Sequence, residues 1–404
     1  MQLRLDGYEL GAQPRLEPSA ASRPEGARGT AAAPHRTVAN PRPGKIRPFG
    51  EADIPAVVAL MELVFPENHW TSRALCEAYV RDIFLDNPWR DDELPSWVAE
   101  EDGQVCGFCG VVPRRMLFRG REVRVAVSTA LMVHPERRGG LAALALAKRS
   151  VSGPQDLTFA DGATEAARRM WCGLGGIVPP LYNLHWIRPL RPMQHVLSVL
   201  AARGALPRAL ALAARPLAGL ADALAPHMGF NRFLDESSEL VEQPLDAAQV
   251  AVELPALVPR AALTPLYAPG HLEWLLDRAA RNTDHGDLRA RAVWRGEQLV
   301  GWYIYYVRAA GPSEVLQVAA REGYDDALHL RLLLDAWRHG ATALRGRLEP
   351  RMLGASSAGH YWLRMDGPYT LVHSRHPAIV DAIQRGDAFL SRLDGEWWIR
   401  FATG

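Results

Sequence analysis

The spacing of hydrophobic and polar residues changes along the chain, and each change predicts a new secondary-structure element. Residues 46–65 start with an extended run and continue with apolar residues three and four apart, which predicts a strand followed by an amphipathic helix. Residues 95–133 consist of β-rich runs separated by Asp102-Gly103 and Arg119-Gly120. Glycine turns between such runs are typical of antiparallel hairpins, so this part is expected to be a meander of strands.

Further elements complete a first domain, and a similar succession returns after residue 260. A glycine-containing loop leads into an alanine-leucine helix, then a strand at 156–160, a helix at 162–176 and a closing strand at "LYNLHWIRPL". The second half repeats helix, hairpin, strand and long helix over 268–344, with a final strand predicted at "GEWWIRF". The repeated order predicts a duplicated fold.

Composition shifts divide the chain into four parts. Residues 1–44 are rich in Pro, Ala, Gly, Ser and Arg, which predicts a disordered tail. Residues 192–228 are rich in Ala and Leu and are interrupted by Pro207 and Pro216, which predicts two or three short helices. The expected organisation is a tail at 1–44, a domain at 45–190, a helical linker at 191–230 and a second domain at 231–404.

The overall charge and the cysteines exclude several classes of function. Lys plus Arg number 46 and Asp plus Glu 45, so no general positive charge suggests nucleic acid as a partner. No run approaches the roughly 20 apolar residues of a membrane span, and no signal peptide is evident, so a cytoplasmic protein is expected. Cys106 and Cys109 fall three apart in one predicted strand, on opposite faces, so we expect buried thiols and no metal site.

The loop between the meander and its helix carries the most informative chemistry. The first turn of a helix offers unpaired N–H groups at the positive end of its dipole, and so attracts anions. Gly139 and Gly140 allow a phosphate to approach the backbone, while Arg137 and Arg138 add positive charge. The loop predicts a pyrophosphate cradle, although the same residues also suit an ordinary turn with solvated arginines.

These residues resemble the GCN5-related N-acetyltransferases, whose signature is V-x-P followed by R/Q-x-x-G-x-G/A. Val133-His134-Pro135 and the run from Arg137 to Ala142 match this pattern. The resemblance implies an α/β (α+β) fold: a mixed, mostly antiparallel sheet flanked by helices. It also implies acetyl-CoA or another acyl-CoA as cosubstrate and no metal. The expected cofactor contacts are Leu131, Met132 and Val133 for pantetheine and Arg137, Arg138, Gly139, Gly140, Leu141 and Ala142 for pyrophosphate.

The catalytic residues are less well defined by the resemblance. The family's next helix usually carries N-x-x-A-x-x-L-Y. Here Thr164 replaces the Asn that contacts the cofactor, and Trp171 replaces the Tyr that acts as an acid near the thiolate. An indole N–H can donate a hydrogen bond to a departing thiolate but does not release its proton, and Trp171 is equally suited to a core. Asp161 is a candidate base or a helix cap, and Ser128 a candidate for contact with the acceptor. Tyr182, His185 and Glu100 are unranked further candidates.

The second half lacks the loop, because Glu322, Asp325 and Asp326 stand where a pyrophosphate would bind. It is therefore expected to be a degenerate copy that walls the acceptor cleft. The resemblance implies an acyl-CoA-dependent N-acyltransferase acting on a small-molecule or peptide amine. Two alternatives stay open: a silent acyl-CoA-binding scaffold or sensor, and an aminoacyl or peptidyl transferase with tandem domains. The linker helices leave membrane-surface contact possible, and the sequence does not indicate an oligomeric state.

Overall fold

The computed structural model describes residues 45–66, 72–138, 140–224, 239–258, 261–352, 361–365 and 367–399, all within the unit that spans residues 42–404. The predicted tail at 1–44 and Gly139 lie outside the described residues.

The described strands are β1 (Lys45–Pro48), β2 (Trp97–Glu101), β3 (Gln104–Phe118), β4 (Arg121–Val133), β5 (Leu157–Ala163), β6 (His185–Pro189), β7 (Leu240–Pro244), β8 (Leu263–Pro265), β9 (Asp287–Arg295), β10 (Gln298–Val307), β11 (Pro312–Ala320), β12 (Ala343–Arg347), β13 (Trp362–Arg364) and β14 (Tyr369–His373). The described helices are α1 (Ile54–Val64), α2 (Arg73–Phe84), α3 (Ala142–Val151), α4 (Glu165–Gly173), α5 (Pro192–Ala202), α6 (Arg208–Leu224), α7 (Ala247–Leu257), α8 (His271–Arg281), α9 (Asp325–Arg338) and α10 (Pro377–Gln384).

The first sheet has the strand order β1-β2-β3-β4-β5-β14, and β8 also pairs with β3. Strands β4 and β5 run parallel and are joined through α3, whereas their neighbours pair antiparallel. Tight turns with positive φ at Asp102-Gly103 and Arg119-Gly120 connect the central strands, as predicted. The expected mixed, mostly antiparallel sheet flanked by helices is confirmed.

The second sheet has the order β13-β6-β12-β11-β10-β9-β7. Its parallel pair is β11 and β12, joined through α9, and β9, β10 and β11 form an antiparallel meander before it. This succession is the same as β2, β3, β4, α3 and β5 in the first sheet.

The two halves of the chain exchange strands. Strand β6, which the sequence places at the end of the first domain, pairs with β12 in the second sheet. Strand β14, from the second half, pairs with β5 in the first sheet. Each sheet is therefore completed by residues from the other half of the sequence, so the halves are joined by backbone hydrogen bonds.

Several elements differ from the sequence expectations. Helix α2 was not predicted; Ser72 caps its first turn by accepting from the Leu75 N–H. Helix α6 continues through Pro216, so the predicted break there is wrong: a helix tolerates the one lost hydrogen bond when its remaining turns are supported. The expected closing strand at 395–401 is also wrong for its described part, because residues 392–398 form turns.

The helical pair α5 and α6 packs mainly against itself and leaves apolar side chains on the surface. The inward side of α6 carries Ala211, Ala218 and Asp222, and Asp222 accepts hydrogen bonds from the N–H groups of Met193 and Gln194. The outward side exposes Leu210, Leu212, Leu217, Leu220 and Leu224.

Candidate active site

A bulge in β4 lies at the centre of the first sheet. Thr129 faces Gly110 and Met132 faces Phe108, so Ala130 and Leu131 together occupy the space opposite a single residue of β3. Ala130 has a φ of 48°, a left-handed conformation that alanine adopts at a cost. A bulge of this kind interrupts the ladder and turns backbone groups away from the neighbouring strand.

Strands β4 and β5 separate next to this bulge. Their parallel pairing covers Val125–Val127 and Leu157–Phe159 and does not continue into the later residues of either described strand. The gap that results is the mouth of a cleft of about 710 Å³.

The cleft has one wall from each sheet. Its lining residues in the first sheet and α4 include Ser128, Thr129, Ala130, Leu131, Gly162, Thr164 and Trp171. The opposite wall comes from the second sheet, the turn before β9 and the C-terminal segment, and includes His185, Trp186, His285, Glu314, Arg345, Arg392, Glu396 and Trp397.

Ion pairs order the charged side chains of the second wall. Glu314 is buried and pairs with both Arg345 and Arg392. The Arg392 guanidinium also contacts Nδ1 of His185 at 2.9 Å and lies 3.9 Å from the ring centroid of Trp397. Burial, together with nearby arginines, lowers the pKa of His285 to about 4, so its imidazole is neutral at pH 7.

Two buried carboxylates meet where β5 leaves β4. Oε1 of Glu396 accepts hydrogen bonds from the N–H groups of Asp161 at 3.1 Å and Gly162 at 2.6 Å. Oδ1 of Asp161 accepts from the Glu396 N–H at 2.8 Å, and its Oδ2 lies 3.4 Å from the Arg347 guanidinium. Burial raises the pKa of both carboxyls, and repulsion from Asp161 raises that of Glu396 further.

The predicted anion loop follows directly from β4. Helix α3 begins at Ala142 with Leu141 at its N-cap, a residue whose side chain offers no acceptor to the free N–H groups. Arg138 and Gly140 are exposed, and Arg137 is held by a 2.8 Å ion pair with Glu101. The N–H groups of Arg137, Arg138 and Gly140 donate to carbonyl oxygens within the loop, so what this region offers an anion is the uncapped start of α3 and the arginine charge.

The structure brings some of the predicted site residues together and separates others. Ser128, Leu131, Thr164 and Trp171 all line the cleft. The loop residues Arg137, Arg138, Gly140, Leu141 and Ala142 lie beyond the end of β4 and do not line it, and Met132 and Val133 are buried. Asp161 is buried outside the cleft lining and both its oxygens are engaged, so the structure does not favour it as the base.

Other candidates have structural roles. Thr164 caps α4 by accepting from the Ala167 N–H, so the capping role considered for Asp161 falls to Thr164. Tyr182 is fully buried and donates to the Ala388 carbonyl, while Glu100 pairs with Arg47 at 2.7 Å. His185 is the one of the three unranked candidates that lines the cleft.

The sequence reasoning missed the charged residues of the second wall. Glu314, Arg345, Arg392 and Glu396 lie far along the chain from Ser128 and join the site only through the packing of the two sheets. Within the described ranges, no cluster of three or more His, Cys, Asp or Glu suits a metal ion. No helix in those ranges is long and apolar enough to cross a membrane. Cys106 and Cys109 are buried free thiols.

Comparison with known proteins supports the resemblance for the first part of the chain. Residues 45–152 match the acetyltransferase (GNAT) domain family. A GCN5-related N-acetyltransferase from Anabaena variabilis ATCC 29413 is 14% identical, with a TM-score of 0.53 over 81% of this chain and 72% of the other. A conserved protein of unknown function from Enterococcus faecalis V583, a probable N-acyltransferase, is 12% identical, with a TM-score of 0.53 over 82% of this chain and 72% of the other. No curated protein matches the chain. At these identities the solved structures show the fold alone, and the similarity to the GNAT acetyltransferase domain family covers residues 45–152.

Proposed function

We propose that the protein transfers an acyl group from an acyl-CoA to an amine, by direct attack of the neutral amine on the thioester. The observation that carries this proposal is the continuity of the site along β4. The bulge at Ala130 and Leu131 lines the cleft, and the same strand leads through Arg137 and Arg138 into the N-terminus of α3.

Each part of that path has a separate task. The N–H groups of α3 and the two arginines bind the pyrophosphate. The edge of β4 from Leu131 to Val133 aligns the pantetheine as an added strand, which brings the thioester to the bulge. An N–H freed there polarises the thioester carbonyl, and the amine enters from the cleft.

The second half contributes a wall and no second cofactor site. Its succession of elements matches that of the first half, and we infer a duplicated fold in which this copy is degenerate. Asp325 and Asp326 occupy the first turn of α9, where α3 has no acidic residue. Negative charge at that position disfavours a pyrophosphate, so one acyl-CoA per chain is expected.

The test is acyl-CoA binding by Gly140→Glu and Gly140→Gln. A Cβ at Gly140 meets the Arg137 carbonyl oxygen at 3.4 Å, an ordinary contact, so both side chains fit and differ only in charge. Calorimetry should show that acetyl-, malonyl- or a long-chain acyl-CoA binds the wild type and the glutamine variant but not the glutamate variant. At about one hundred times its Kd the ligand should add about 2.7 kcal/mol of stability, a shift of a few degrees in Tm.

Release of free thiol in the presence of amines then separates a transferase from a silent scaffold. Binding with no turnover of any amine would favour the scaffold or sensor. Absence of binding by any acyl-CoA would contradict the proposal as a whole.

A further inference from the structure

We propose that Glu396 is the general base of the reaction, the group that removes a proton from the amine as it attacks the thioester. This assignment rests on the proposed function and places a catalytic residue in the C-terminal segment that follows α10. Glu396 is far along the chain from the loop that carries Arg137 and Arg138. It reaches the site only because the C-terminal segment packs against β5.

The backbone of β5 holds Glu396 in place. The pairing of β5 with β14 shifts register between Ala160 and Ala163, and this irregularity leaves the N–H groups of Asp161 and Gly162 free of the ladder. Both donate to Oε1 of Glu396. The carboxylate is therefore fixed by two strong, charge-assisted bonds at the point where β5 departs from β4.

The position of Glu396 suits proton removal from an attacking amine. It lines the cleft together with Thr129 and Ala130 on the bulged strand, although only 4% of the residue is exposed. An amine that attacks a thioester at the bulge must sit in this cleft, between the two walls. A base has to reach the transferred proton directly or through one water, and Glu396 borders the cleft that the amine would enter.

The charges around Glu396 favour a base that works near neutral pH. The titratable groups that act on Glu396 are Asp161 and the buried Cys109 thiol, and Asp161 in turn faces Arg347, Arg392 and Asp394. Burial and the repulsion from Asp161 raise the pKa of Glu396, although the Thr129 side chain and the N–H groups of β5 lower it in part. A carboxylate with a raised pKa binds a proton more strongly and is a better base.

The proposed step conserves atoms and charge. The amine nitrogen forms a bond to the thioester carbon and its proton passes to the Glu396 carboxylate. The bond from carbon to sulfur then breaks, and coenzyme A leaves as a thiolate. The proton held by Glu396 returns through solvent to the thiolate, which gives the amide and free coenzyme A.

His285 is the competing base, because it also lines the cleft and its imidazole is neutral at pH 7. Its low pKa makes it a weak acceptor of a proton from an amine. The two candidates are distinguished by matched amide variants, Glu396→Gln and His285→Gln.

The experiment measures kcat against pH for the full chain with acetyl-CoA and hexylamine, spermidine or glycylglycine. Glu396→Gln keeps an oxygen for the two N–H groups, so acetyl-CoA binding by calorimetry should change less than about twofold. We expect its kcat at pH 7 to fall about one hundredfold and the acidic limb of the profile to disappear. His285→Gln should keep that limb. Glu396→Asp should also keep it, at a lower rate, and this variant tests the assignment if Glu396→Gln fails to fold.

The outcomes separate this assignment from the proposed function. If Glu396→Gln turns over at the wild-type rate with the same profile, or if only His285→Gln loses the limb, the assignment to Glu396 is overturned and the transferase stands. If the wild type binds acetyl-CoA but acylates none of the amines, the proposed function and the assignment fall together.

Discussion

Asp161 and Glu396 exchange hydrogen bonds in both directions. The N–H of Asp161 donates to Oε1 of Glu396 at 3.1 Å, and the N–H of Glu396 donates to Oδ1 of Asp161 at 2.8 Å. The indole of Trp397 adds a third bond to the Asp161 carbonyl at 3.0 Å. This reciprocal contact fastens the C-terminal segment to β5 and gives the cleft its second wall.

Replacing Asp161 by Asn should lower the free energy of unfolding by about 3 kcal/mol, since it removes the charge that faces the buried Arg347. Urea unfolding measures this change. The exposed pair of Arg90 and Asp92 supplies the control, and Asp92→Asn should stay within about 0.5 kcal/mol. A loss of stability in Asp161→Asn as small as that in Asp92→Asn would show that the Asp161 charge has no structural role.

Replacing Gly395 by Ala should disturb the same contact by steric means. A Cβ at Gly395 would press against the Asp161 carboxylate, far inside van der Waals contact. We expect a loss of about 1–3 kcal/mol in urea unfolding, together with reduced turnover, because Glu396 is displaced. Gly173→Ala is the matched control: its Cβ meets nothing within 4 Å, and stability should hold or rise. Wild-type stability and turnover of Gly395→Ala would contradict this packing.

The part of the site that could be predicted from sequence is the part formed by neighbours in the chain. Strand β4, the loop with Arg137 and Arg138, and α3 are consecutive, so their chemistry follows from local turns and helix geometry. Thr164 and Trp171 also reach the cleft from a helix close in sequence.

The second wall could not be predicted in this way, because it depends on which strands pair across the two halves. The exchange of β6 and β14 carries no local signal, and it brings His185 to the second wall. The alternating pattern of "GEWWIRF" suggested a strand, but Trp398 is buried within turns and Glu396 bonds β5 through its side chain.

The bulge in β4 should tolerate glycine at position 130 and reject a branched side chain. Ala130 has a φ of 48°, which valine adopts only at a high cost, whereas glycine adopts it freely. Ala130→Val should lose about 2 kcal/mol or more in urea unfolding and most of the turnover, and Ala130→Gly should stay within about 1 kcal/mol of the wild type. Similar stability of the two variants would mean that the bulge conformation is not strained.

His329 should make the stability depend on pH. The residue is buried, neither ring nitrogen has a hydrogen-bond partner among the described residues, and its nearest aromatic neighbours are Trp186 and Tyr361. Burial and the nearby Arg188 lower its pKa from 6.5 to about 4. The unfolded chain therefore binds the proton more readily, so the free energy of unfolding rises with pH between about 4 and 6.5. The contribution of His329 to stability is lost as the pH falls through that window.

Replacing His329 by Leu removes this dependence because leucine has no charged form to bury. Each pKa unit corresponds to about 1.4 kcal/mol, so the difference in stability between about pH 7.5 and about pH 4.5 should shrink by about 2–3 kcal/mol in His329→Leu. Urea unfolding at the two pH values measures it. An unchanged pH dependence in His329→Leu would show that His329 is hydrated or paired in the folded protein, and that the remaining acid sensitivity comes from other groups such as His285.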